Sequence, residues 1–489
     1  MKSDFRGKSV VGRSMRSKYM RIAVLLPVAV CLSLLLFFST VTADTLTLDM
    51  TQAINLALEN NHDLVISQYK IDEATSGVRS ARTNFLPKLK AQATYTRLDE
   101  IPYLDASAFG NMFAPLQAPF QDLVDKGYLD PSTLAGLSGA GGGGKIYMGD
   151  DDNYNINLSL QQPIFTGFRL INNLKITNYQ RSSAKLLGQR TKETVRQQVT
   201  QAYWDLLSTQ EFVNVTEEAI RQLESHVTDL KNLLEVGMVI ENDLLRAKLA
   251  LSNVRLQDVK VNNGVRLANA ALCNLLVVDQ NTVIVPTEKI VIDEVVLPSL
   301  DTLFRMAKAQ RPDYRALDYN VRILGKVKAI KRAAYLPQIA LVANYDWKRP
   351  DREYDPEFYS SWNINLIATL DIFSWGQRHH EIQKVEAHKR QLLELQSQLS
   401  DYITLEVRQA YLSVQESRQE VDIAGLAVTQ ADENYRVTSA NYQAGTMTNS
   451  DLLDAQTALT QAKIASIQAK AHLKKAIVNL ETAISENKE

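Results

Sequence analysis

Residues 441–454 read Asn441-Tyr442-Gln443-Ala444-Gly445-Thr446-Met447-Thr448-Asn449-Ser450-Asp451-Leu452-Leu453-Asp454. They form the one clear interruption in more than a hundred residues without proline, and a diverged copy lies 208 positions earlier, at residues 234–247. In each copy a helix-favouring run meets a glycine, the residue that most readily takes the left-handed conformation just past a helix end. Both read as reversal points of long helical hairpins. In the first, Asn242 or Asp243 offers an N-cap for the returning helix, predicted to reach about residue 277.

Outward from the tips the pattern stays helical. Between Pro163 and Pro286 there is no proline, and Gln, Lys, Glu, Leu and Ala dominate. Leu223, Val227, Leu230 and Leu234 follow the four-and-three spacing of a coiled-coil seam rather than the wider face of a globular helix. If residues 168–235 form one helix or two stacked ones, they extend about 100 Å at 1.5 Å per residue. No compact domain needs that length. Helical spacing also runs from Thr47 through Met50, Ile54 and Leu58, and over residues 64–78, stopping at Phe85-Leu86-Pro87.

Strict alternation follows. Leu89, Ala91, Ala93 and Tyr95 oppose Lys88, Lys90, Gln92, Thr94 and Thr96; after residues 98–152, Tyr154, Ile156, Leu158 and Leu160 oppose Asn155, Asn157, Ser159 and Gln161. Period two marks strands with one apolar and one polar face, and these two are expected to pair as a hairpin. Residues 98–152, with Pro102, Pro115, Pro119, Pro131 and a glycine run, read as a long patternless loop. The β-branched residues 282–296 read as an extended join.

The second half repeats the first. Tyr335-Leu336-Pro337-Gln338-Ile339 echoes Phe85-Leu86-Pro87-Lys88-Leu89 at an offset of 250, and alternation returns over residues 338–347 and 362–371. Val407-Arg408-Gln409-Ala410-Tyr411 matches Val199-Thr200-Gln201-Ala202-Tyr203 at an offset of 208. The first repeat is therefore assigned to residues 44–297, with β-hairpin 85–165, helical hairpin 168–277 and join 282–296. The second is assigned to residues 298–489, with β-hairpin 335–373 and helical hairpin 376–486.

Residues 1–43 differ from the rest: seven basic residues against the single acid Asp4, an apolar run over 22–38, then Ser-Thr-Val-Thr-Ala ending at Ala43. This is the form of a secretory signal peptide, not of a membrane span. Lipid attachment at Cys31 is disfavoured by the apolar residues that follow it. Taking seven bases and one acid from totals of 54 and 55 leaves the mature chain about seven charges negative, which argues against nucleic acid as a partner. Only Cys273 would survive cleavage, so no intrachain disulfide is expected.

Four strands of about ten residues match the length of membrane-spanning β-strands. A bilayer does not tolerate open sheet edges, and four strands are too few to close a barrel. Two copies supply eight strands and three supply twelve; the long helices favour three, building a hollow helical cylinder alongside a water-filled barrel.

The signal peptide, the repeated helix-strand-strand-helix plan and the segment Gly445-Thr446-Met447-Thr448-Asn449-Ser450-Asp451-Leu452-Leu453-Asp454-Ala455 resemble the TolC family of outer-membrane efflux proteins, over essentially the whole mature chain. The resemblance implies a mainly α fold with membrane β: long helical hairpins forming an α-barrel across the periplasm, and four transmembrane strands per protomer in a homotrimeric twelve-strand β-barrel set in outer-membrane lipid. It implies a passive exit duct for tripartite efflux or type I secretion, joined to a periplasmic adaptor and an inner-membrane pump of RND or ABC type. It places an acidic periplasmic gate at Asp451 and Asp454, a latch at Asn242, Asp243 and Tyr442, and adaptor-docking tips at Gly237, Met238, Gly445 and Thr446. Best-known members carry arginine where this chain has Met447, so a Tyr442–Asp243 hydrogen bond is expected to carry more of the latch.

Rival readings explain less. An exported coiled-coil tether leaves the strands without a role, and a periplasmic adaptor has one hairpin and no membrane strands. The near-match to a phosphate-binding loop over residues 139–145 lacks the following Ser or Thr. His379, His380, Glu381 and His388 have no zinc-type spacing. No nucleophile–base arrangement, metal site or cofactor motif is read, and no enzymatic activity is expected.

Overall fold

The structure is a computed structural model that describes residues 45–105, 107–132, 145–292 and 296–486. The signal-peptide and Cys31 readings, and the glycine run over residues 139–144, lie outside these residues. In chain order the elements are β1 (Thr45–Leu48), α1 (Met50–Asn60), α2 (His62–Thr83), β2 (Lys88–Arg97), β3 (Tyr103–Asp105), α3 (Ser107–Asp125), β4 (Lys145–Tyr147), β5 (Asp152–Phe165), α4 (Arg169–Glu235) and α5 (Glu241–Leu276). They continue with β6 (Val283–Pro286), α6 (Leu300–Gln310), α7 (Pro312–Ala333), β7 (Gln338–Arg349), β8 (Tyr359–Thr369), α8 (Gln377–Gln443) and α9 (Asn449–Ile484). Helices α4 and α8 have 67 residues each, and α5 and α9 have 36 each, so the two hairpins match element for element.

Two compact units are present, and each draws on both sequence halves. One contains residues up to Glu59, Gln198–Ile292 and Val421–His472; the other contains Asn60–Gln197, Asp293–Glu420 and the C-terminal segment. Compactness in space thus cuts across the repeat in sequence.

In the second unit, β2, β5, β7 and β8 form one antiparallel sheet in that order. Paired residues lie on the same face, and the register brings the four apolar rows together: Leu89 with Leu160, Leu160 with Ala343, Ala343 with Ile364. Polar residues collect on the opposite face, where Asn157 Nδ2 donates to Asp346 Oδ1 at 2.9 Å and Asn344 Nδ2 to Asn363 Oδ1 at 3.0 Å. The apolar row is uncovered, with Trp362 73% and Leu366 68% exposed. Aromatic rings flank it at both ends: Tyr95 against Tyr154 and Trp347 against Phe358 at one, Phe165 against Phe168 and Phe373 against Trp375 at the other.

The strand-to-helix turns that leave this sheet share one backbone. Gly167 and Phe168 have φ of 60° and 66°; Trp375 and Gly376, 208 positions on, have φ of 47° and 80°. Gly167 also packs tightly, since a Cβ there would lie 2.7 Å from the Ala333 carbonyl oxygen. Gly167→Ala is expected to cost about 2 kcal/mol, combining left-handed strain with a clash against backbone. Gly445→Ala, whose Cβ would meet open space, should cost about half as much. Thermal unfolding of the two purified variants beside the parent checks the difference; equal losses would refute the packing role of Gly167.

In the first unit the predicted seam forms. Leu223 packs with Leu251 and Leu453, and Leu230 with Leu244 and Ala247, with Val227 and Leu234 filling between. Helices α4, α5 and α9 therefore share apolar contacts. Strand β1 pairs in parallel with β6, and Asn269 fixes β6 by donating to Thr282 O and accepting from Ile284 N.

Several expectations need correction. Residues 45–48 are strand rather than the start of a helix, because β6 supplies a partner that no local pattern reveals. Residues 98–152 are not patternless: β3 pairs with β4, and α3 is a 19-residue helix despite Pro115 and Pro119. Its apolar residues recur at three and four, and that periodicity outweighed the two missing donors. Of the two readings open for residues 168–235, one helix or two stacked ones, the first is found, from Arg169 to Glu235.

Candidate functional site: the paired hairpin tips

Both tips end in the same hydrogen-bonded cap. Gly237 N donates to Leu234 O and Met238 N to Leu233 O; Gly445 N donates to Tyr442 O and Thr446 N to Asn441 O, all at 2.9–3.0 Å. Gly237 and Gly445 both have φ of 76°. These are Schellman motifs, and the left-handed residue in each is the predicted glycine. Val236, Met238 and Ile240 make the first tip an exposed apolar point, while the second exposes Met447.

The returning helices start differently. Thr448 caps α9: its backbone N–H and hydroxyl donate to Asp451 Oδ2 at 2.9 and 2.6 Å, and Asp451 N donates back to Thr448 Oγ1. This is a capping box. The Thr448 hydrogen bonds hold the Asp451 carboxyl below its usual range. The corresponding position in the first tip is Ile240, which provides no side-chain cap, so neither Asn242 nor Asp243 is the N-cap expected from sequence. Asn242 is exposed. Asp451 and Asp454 are exposed on one side of α9, whereas Leu452, Leu453, Ala455 and Gln456 are buried on the other.

Asn449, a residue the sequence reading passed over, joins the two tips. Its Nδ2 donates to Asp243 O at 3.0 Å, and its Oδ1 lies 2.7 Å from His226 Nε2. Because the carbonyl can only accept, the amide orientation is fixed, and His226 must donate through Nε2. His226 and Asn449 are 9% and 5% exposed. Beside them Arg246 donates to Ser450 Oγ at 3.0 Å, a link from the first tip to the second.

The hydrogen bond expected between Tyr442 and Asp243 is not formed. The Tyr442 ring stands edge-on to His226, 5.4 Å between centroids. Burial raises the Tyr442 hydroxyl, and the charges of Asp243 and Asp229 raise it further, so it stays protonated. Tyr442 and Asp243 are electrostatic neighbours, and the hydrogen-bonded connection runs through Asn449.

Among the described residues no cluster of His, Cys, Asp or Glu has the arrangement of a metal site. No helix among them is long and apolar enough to cross a membrane, which leaves the question of membrane β-strands untouched.

A sheet apolar on one uncovered face, combined with paired long helical hairpins, defines a membrane channel subunit of mixed β and α construction. The family described as outer membrane efflux protein matches residues 128–276 and 303–486, more than half the chain and one stretch in each half. The chain belongs to the outer membrane efflux protein family, a family of transport channels rather than enzymes, acting at the cell outer membrane. No curated protein sequence matches it. Among solved structures it is similar to the Campylobacter jejuni CmeC outer membrane channel, at 18% identity over 89% of this chain and 85% of that one, with a TM-score of 0.68. It is similar to the outer membrane protein VceC from Vibrio cholerae, at 16% identity over 90% and 97% of the two chains, TM-score 0.67. It is also similar to the open state of the Neisseria gonorrhoeae MtrE outer membrane channel, at 15% identity over 91% and 93%, TM-score 0.67. The TolC-like fold and internal duplication expected from sequence are thus the ones found.

Proposed function

We propose that three copies of the chain close into one duct, with residues 1–43 removed during export. The observation that carries this is the sheet: β2 and β8 are edge strands flanking an uncovered apolar face. Unpaired edge donors and acceptors are not tolerated in hydrocarbon, so each β8 needs a β2 from another copy. The first- and second-tip residues Gly237, Met238, Gly445 and Thr446 take a periplasmic adaptor, which couples the duct to an inner-membrane pump of RND or ABC type.

Asp451 and Asp454 supply the gate, and three copies of each make six carboxylates around a narrow passage. Such a ring favours cations. The capping role of Asp451 is compatible with this, since hydrogen bonding that keeps the carboxyl ionised also keeps the ring charged. The test is reversal potential in planar bilayers under a salt gradient. D451N/D454N is expected to lower cation selectivity several-fold without lowering conductance; unchanged selectivity would remove these residues from the constriction.

A further inference from the structure

Where β5 passes into α4, a cavity of about 350 Å³ opens between the first turns of α4 and the end of α7. Phe168, Ile171 and Leu336 give it an apolar wall, and Asn172, Lys175 and Arg332 a polar one. Gly167 lets the turn approach α7 closely enough to form the cavity floor. Nearby cations are satisfied: Lys328 pairs with Glu386 at 2.5 Å and Lys331 with Glu381 at 2.8 Å. The side chains of Lys175 and Arg332 have neither an ion pair nor a hydrogen bond among the described residues.

We infer that this cavity binds an anionic glycerophospholipid of the surrounding membrane, its phosphate between Lys175 and Arg332 and its acyl chains along Phe168, Ile171 and Leu336. Three observations select that occupant. The apolar wall continues the apolar face of the sheet: Phe165 pairs with Ile339, which lies in the row of Leu341 and Ala343, and the Phe168 ring stands edge-on to Phe165 at 5.5 Å. The polar wall carries two uncompensated positive charges and no acid. Finally, β5 and β7 are the central strands of the sheet, so the cavity is internal to a protomer and away from the edges where other copies would join. A basic pocket beside a hydrocarbon-facing surface is the arrangement that holds anionic headgroups. The inference rests on the apolar face meeting lipid.

The experiment is native mass spectrometry of the purified full-length channel, stripped of lipid in neutral detergent and titrated separately with phosphatidylglycerol, phosphatidylcholine and inorganic phosphate. Phosphatidylglycerol is expected to bind in preference to phosphatidylcholine. K175Q/R332Q should weaken it by about tenfold to thirtyfold, and K175R/R332K should restore most of the loss. Equal binding of the two lipids, undiminished binding by K175Q/R332Q, or displacement of the lipid by inorganic phosphate alone would overturn the assignment. Bilayer conductance of the same preparations tests the channel reading separately from lipid binding.

Discussion

Arg311→Met is expected to destabilise the protein by about 3–5 kcal/mol, the cost of removing one partner from a buried ionic network. Arg311 is 2% exposed. It stands between α6 and α7, held extended by the proline that follows it, and its fork grips Asp313 at 3.1 and 2.7 Å. It also donates to Glu406 Oε2 at 2.5 Å and to Ala483 O at 3.2 Å. Arg190 adds an ion pair to Glu193 and a hydrogen bond to Thr482 O, while Ser485 Oγ donates to Glu193. Elements far apart in sequence are riveted here: α4, the α6–α7 junction, α8 and the end of α9.

The loss should depend on pH. Burial pushes the Asp313 carboxyl up, but hydrogen bonding and charge from Arg311 outweigh it and hold the group below its ordinary 3.8. A depressed carboxyl stabilises fully above its unfolded pKa, and the contribution disappears as pH falls through the folded value. At neutral pH, Arg311→Met leaves the half-buried Asp313 carboxylate without its bidentate partner, with only the Arg190 charge still acting on it. Toward about pH 4 and below, protonation relieves it and the gap from the parent narrows. Arg311→Lys should fall between, because a lysine cannot reproduce the bidentate grip. Chemical denaturation at pH 7 and pH 4 checks this; a deficit of the same size at both would show that the carboxylates are not its source.

Asn449→Ala is the second large effect expected. It leaves the His226 Nε2–H without a partner in a closed environment, at about 1–3 kcal/mol, and strips the Asp243 carbonyl of its hydrogen bond from the other tip. The two tips should separate more easily, with faster amide exchange over residues 226–243 and 441–456. If the tips form the gate, resting conductance rises as well. Asn449→Asp is the sharper probe: it preserves an acceptor for His226 but sets a carboxylate oxygen against the Asp243 carbonyl. Similar exchange in the parent and both variants would show that Asn449 does not hold the tips together.

What the sequence disclosed and what it hid follow from range. The strands were legible because alternation is written into consecutive residues, and the hairpin tips because glycine must supply positive φ at Gly237 and Gly445. Strand β1 was hidden because four residues carry little periodic signal and their partner, β6, lies more than 200 positions away. Asn449 was hidden likewise: its partners, His226 and Asp243, are 223 and 206 residues distant. A histidine beside the Leu223–Leu230 seam was the available clue. For Arg311, the Arg-Pro-Asp order at a helix break was a legible hint of the local fork, but nothing nearby announced Glu406.

The two turns leaving the sheet show what duplication kept. In one the glycine comes first, in the other second, yet both hold two successive left-handed residues at positions 208 apart. Aligned letter by letter, Gly167 faces Trp375 and Phe168 faces Gly376, and each pair looks like a mismatch. Aligned by torsion angle, nothing has changed. Each copy retains one aromatic residue in a conformation disfavoured for it, so the inherited quantity is the bend of the chain and the residue that makes it is replaceable.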